Sequence, residues 1–73
     1  MSTYTHLDNT GATVQFSTAR KKPPIWAVYA GHGAEWKLLG RAATDKSRDS
    51  WISEGKRKGW TLSYVAPVER VAS

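Results

Sequence analysis

Ile25-Trp26-Ala27-Val28-Tyr29-Ala30-Gly31-His32-Gly33-Ala34-Glu35-Trp36-Lys37-Leu38-Leu39-Gly40 contains a strand, a reversal and a second strand in one run. Residues 25–30 are rich in β-branched and aromatic side chains, which pack well on a pleated surface, and Gly31-His32-Gly33 supplies the turn. Residues 34–40 then alternate, with Trp36 and Leu38 on one side and Glu35 and Lys37 on the other. Leu39 breaks that alternation near its end. The stretch predicts a β-hairpin. Upstream, Pro23-Pro24 lacks the N–H groups a ladder needs and forces Lys22 into an extended conformation, so the core is expected to begin there.

Downstream the pattern changes period. Thr44 or Asp45 is a suitable N-cap, Asp45 and Asp49 place negative charge near the positive end of a helix, and Lys56, Arg57 and Lys58 suit its negative end before Gly59 stops it. Trp51 and Ile52 provide a narrow apolar stripe, and Gly55 permits close approach to a sheet. Residues 60–65 alternate again, which predicts Trp60, Leu62 and Tyr64 on one face and Thr61, Ser63 and Val65 on the other. A crossover would lay this strand parallel to 34–40 with 25–30 between them. The expected fold is therefore α+β, a small ββαβ core over residues 23–73. Pro67 ends the last strand, leaving Val68-Glu69-Arg70-Val71 as an edge extension or a tail. Residues 1–22 read either as a flexible arm or as an extra hairpin, 3–7 against 12–18 around Asn9-Thr10-Gly11.

The 73 residues allow one domain with a thin core, and four Trp, three Tyr and one Phe supply the bulk for it. There is no cysteine, hence no disulfide framework, and with only His6 and His32 a zinc site lacks ligands. The expectation is no metal and no cofactor. The start of the chain has neither the basic region nor the apolar stretch of a signal peptide, and no run has the length of a membrane span, so the sequence predicts a cytoplasmic protein. Gly31-His32-Gly33 lacks the spacing of a phosphate loop, and no Ser, His and Asp converge by spacing or context, so no enzyme is expected.

Eleven Lys and Arg against six Asp and Glu give a net charge of +5, which attracts acidic partners, whether nucleic acid or an acidic protein surface. The charge is bunched. Arg20, Lys21 and Lys22 precede Trp26, and Lys56, Arg57 and Lys58 precede Trp60. Dipole capping is a sufficient reason for the second run, and a solvated hinge would account for the first. As a partner-binding surface, the two runs would act with an exposed tryptophan, Trp26 or Trp36, while Trp51 and Trp60 are assigned to the core. No helix-turn-helix, RNA-recognition aromatic pattern or zinc finger is present.

In size and character, with Arg20-Lys21-Lys22-Pro23-Pro24 linking an arm to a small β-rich core, the chain resembles the compact regulators that bacteriophages encode to seize host machinery, some of which bind bacterial RNA polymerase. The resemblance aligns no motif and carries over no functional residue. What it implies is a protein partner, a polymerase subunit, regulated by occlusion or by altered affinity for other factors; the chain alone is expected to be a monomer. Two other readings use the same residues: a sequence-indifferent nucleic-acid-binding domain, and a self-assembling structural protein paired through an edge strand.

Overall fold

The computed structural model describes residues 2–71. It is α+β, with six strands in two antiparallel three-stranded sheets and one helix. The first sheet, in the order β2-β1-β6, is built from β1 (Ser2–Leu7), β2 (Thr13–Thr18) and β6 (Glu69–Arg70). The second, in the order β4-β3-β5, is built from β3 (Trp26–His32), β4 (Glu35–Ala42) and β5 (Leu62–Pro67). Helix α1 (Asp45–Arg57) connects β4 to β5.

The ββαβ core has the expected arrangement. Both β4 and β5 run antiparallel to β3, so they are parallel to each other with β3 between them. This central strand holds most of the core: Ala27, Val28, Tyr29 and Ala30 are buried, joined by Tyr4, Ala42 and Ala66. Val28 is the largest side chain that is fully buried. Ala30 of β3 lets α1 approach one face through Gly55, while Tyr29 on the other face meets His6 of the N-terminal hairpin.

The tryptophans expected inside are not the centre of this core. All four are half-buried. Two of them lie over glycines: Trp36 covers Gly31 across the β3–β4 ladder, and Trp51 of α1 covers Gly40. The flat face of each indole fills the gap left where a glycine has no side chain.

Both ends of α1 follow their local chemistry. Thr44 is the N-cap, its side-chain oxygen accepting from the Ser47 N–H at 3.1 Å. At the other end Gly59 takes a φ of +94°, Gly59 N–H donates to Lys56 O and Trp60 N–H donates to Gly55 O at 2.9 Å. This pair of reversed bonds is the Schellman closure. It also corrects the expected placement of Trp60. Tied to the helix end, Trp60 lies outside β5 with its Cβ near Gly55 on the helix side, whereas Tyr64 packs with Tyr29 and Ala66 on the opposite face.

Residues 2–18 form a hairpin rather than a free arm, with Tyr4 opposite Phe16 and His6 opposite Val14. Its turn is organised by Asp8, whose Oδ1 accepts from Thr10 N–H at 2.8 Å, Thr10 Oγ1–H at 2.6 Å and Ala12 N–H at 3.0 Å. Gly11 supplies the positive φ of +87°. The C-terminal segment pairs as well: Val68 N–H donates to Ile25 O, and β6 then crosses to β1, where Val71 N–H donates to Thr3 O.

Hydrogen bonds from the Thr10 side chain first, then from the Thr10 backbone, hold the Asp8 carboxyl below its ordinary pKa, against a smaller opposing effect of desolvation. A carboxyl with a lowered folded-state pKa contributes stability above its unfolded value and loses it as pH falls through the folded one. The turn is therefore expected to loosen only below the ordinary carboxylate range. Thr10 and Ala12 amide exchange measured on acidification should show this, and in Asp8→Ala the same amides should be unprotected at every pH.

Candidate functional site

The two basic runs lie at opposite ends of β3. Arg20, Lys21 and Lys22 are exposed on the link into β3, which is anchored by the buried Pro24 and by Ile25 N–H donating to Ala42 O at 2.8 Å. Lys56, Arg57 and Lys58 are exposed where α1 ends, beyond Gly55, which packs on Ala30 and Leu39. Seven residues of strand separate these ends by roughly 20 Å. The second run is also partly neutralised: Glu54 binds Arg57 at 2.6 Å and Lys58 at 3.8 Å, leaving Lys56 without an ion pair among the described residues.

Neither candidate tryptophan is a free anchor. Trp26 donates its indole N–H to Asp45 Oδ1 at 2.8 Å, and the Arg48 guanidinium lies 5.0 Å from its ring centre, so it fastens the start of α1 to β3. Trp36 packs beside Leu38 and Tyr64 on the other face. The exposed large apolar side chains are instead Leu7, Ile25 and Leu62. All four tryptophans are half-buried, because each indole has a glycine, an ion or a hydrogen-bond partner of its own to cover.

A different cluster forms at the Arg20 end. There an open cleft of about 320 Å³ lies between β2, the link and the outer edge of β4, with Phe16, Thr18, Arg20 and Arg41 around it and Pro24 and Trp51 as walls. Arg41 reaches it because β4 carries a bulge. Val28 pairs with Gly40 but Tyr29 pairs with Leu38, so Leu39 is the extra residue. Strict alternation would put Arg41 on the helix side with Lys37. The bulge shifts the parity, sending Gly40 and Ala42 towards α1 and Arg41 towards the hairpin.

There Arg41 is held on two sides. Its guanidinium stacks 3.9 Å from the centre of Phe16, and its Nε–H donates to His6 Nε2 at 3.2 Å. His6, 3% exposed, donates from Nδ1 to Leu7 O at 3.2 Å, which makes it the neutral tautomer with Nε2 free to accept. The ring also lies 5.7 Å from Phe16 and 6.0 Å from Tyr29. Burial pushes the Tyr29 phenol above its ordinary pKa, the Asp8 charge adds to this, and Arg41 opposes it. No carboxylate pairs with Arg41 among the described residues.

Of the candidate residues, the structure thus brings only Arg20 to this cleft. Arg41 and its supports His6 and Phe16 are absent from the sequence-derived set. The signal available for them was Leu39, the residue that interrupts the alternation of β4. Among the described residues, no group of three or more His, Cys, Asp or Glu is placed to hold a metal ion, and no helix is long and apolar enough to cross a membrane. Compared with protein-family models, curated proteins and solved structures, the chain matches none.

Proposed function

We propose that this chain is a non-enzymatic regulator that docks on bacterial RNA polymerase in the host cytoplasm and modulates transcription, monomeric until it binds. The observation that supports docking on a folded acidic partner is the division of positive charge between two ends of β3, roughly 20 Å apart, with no exposed indole between them. A protein that follows a nucleic-acid strand needs a continuous basic groove with aromatic faces open to stacking. Two separated patches suit discrete acidic sites on a rigid surface and raise the encounter rate. The choice of polymerase rests on the resemblance in size and character to phage-encoded regulators.

The test passes purified, nuclease-treated bacterial RNA polymerase over the immobilised chain at moderate salt. Retention is expected, and Lys56→Ala with Arg57→Ala should slow association several-fold while changing dissociation little, as loss of steering charges does. No retained polymerase sinks the reading. Tight binding of a duplex or single strand that weakens steeply with salt replaces it with the nucleic-acid module. A sedimentation mass that rises with concentration replaces it with self-assembly through an edge strand.

A further inference from the structure

We propose that the cleft between β2 and β4 is a socket for one phosphate dianion, either free phosphate or a monoester. Two arginines line it, Arg20 and Arg41, and no acidic residue does. A carboxylate or a phosphodiester, each with one negative charge, would leave half of that positive charge unmatched. A phosphate dianion balances it and offers at least three oxygens to the forked donors of arginine. The proposal is independent of whether the chain docks on polymerase.

Arg41 is built to wait for such a ligand. His6 occupies its Nε–H and Phe16 covers one face of the guanidinium, so the two terminal amino groups carry its remaining donors, and no hydrogen bond among the described residues uses them. The side chain is partly buried and has no carboxylate partner, a costly state for a cation that a bound dianion would relieve. Because its position is already fixed, little side-chain freedom remains to be lost on binding. Thr18 Oγ1 accepts from Arg20 N–H at 3.2 Å, which holds the start of the link over the cleft and leaves the hydroxyl proton as a further donor. Pro24 and Trp51 wall off part of the solvent, strengthening each charge interaction relative to open water.

The shared chemistry has two sources, inorganic phosphate or the phosphate of a nucleotide, which also brings a base to lie against Trp51. Nuclear magnetic resonance on the whole chain separates them by following the Arg41 Nε and Trp51 indole resonances at constant ionic strength and about pH 7.5, where the second phosphate proton is lost. Inorganic phosphate is expected to give saturable shifts, with acetate and dimethyl phosphate about tenfold weaker. A change of this size corresponds to loss of one charge-assisted contact. Tighter binding of adenosine monophosphate than of phosphate assigns the nucleotide; equal binding assigns the phosphate group alone. Arg20→Ala, on an exposed link where the fold does not depend on it, should weaken phosphate about fivefold or more, and Arg57→Ala at the far end should not. Shifts that never saturate, dimethyl phosphate binding as well as phosphate, or an unchanged Arg20→Ala overturns the socket.

Discussion

Gly40→Ala is expected to lower folding stability by about 2 kcal/mol, within the range of overpacking a close contact. A Cβ at Gly40 would lie 2.5 Å from Trp51 Cε2 and Cζ2 and 3.0 Å from Cη2. An indole cannot move aside at its fused ring without shifting as a whole, so either Trp51 lifts off β4 or α1 moves away from the sheet. Gly31→Ala meets Trp36 in the same way, with ring atoms at 2.5, 2.6 and 2.8 Å. Gly55→Ala is the contrast. Its nearest neighbour is the terminal Leu39 Cδ1 at 2.9 Å, the end of a flexible side chain, and alanine is about 1 kcal/mol better than glycine inside a helix. That change should be close to neutral. Urea unfolding of the three variants tests the ranking, and a Gly40→Ala protein as stable as the parent contradicts the packing described for Trp51. In a domain of this size about 2 kcal/mol is a large share of the total. Trp51 also walls the cleft, so the same variant should lose part of its phosphate affinity.

Arg41→Met should loosen the N-terminal sheet while leaving the core sheet nearly intact. Methionine keeps much of the length and apolar area of the arginine stem but supplies neither the hydrogen bond to His6 nor the cation over Phe16. A hydrogen bond from a charged donor contributes about 1.5–3 kcal/mol, and leaving the buried His6 Nε2 unpaired costs part of its desolvation as well. The loss is local because β1 meets the core through few contacts, among them the His6–Tyr29 ring contact, the Arg41 bridge, the approach of β1 to β5 and the crossing of β5 into β6. Hydrogen exchange should show β1 and β2 amides opening with about 2 kcal/mol less protection and β3 amides changing by less than about 0.5 kcal/mol. Uniform loss across both sheets would mean that the hairpin and core unfold as one unit. His6→Phe combined with Arg41→Met completes a double-mutant cycle that isolates their coupling.

These expectations differ in how far they could be read from residues alone. The β3–β4 hairpin, the crossover and the ends of α1 are written in local pattern: alternation, Gly31-His32-Gly33, Thr44 before the helix and Gly59 after it. The hairpin of residues 2–18 is not written in local pattern, because its apolar anchors are few. The Asp8 carboxylate, through three hydrogen bonds in the turn, is one feature that favours the ordered form. Trp60 departs from its alternation by one local step, because the helix closure on Gly55 keeps it out of the strand whose alternation it shares.

The sequence by itself determined the elements of the ββαβ core, their order and the parallel relation of β4 to β5, since each follows from backbone propensity, capping and the periodicity of neighbouring residues. The tertiary structure alone decided that the basic runs stand at opposite ends of β3, that each tryptophan is partly covered, and that Arg41 joins Arg20 in one cleft. The reason is parity and distance. One extra residue at Leu39 turns Arg41 from the helix face to the hairpin face, and residues 16, 20, 41 and 51 become neighbours only when two sheets and a helix are packed together.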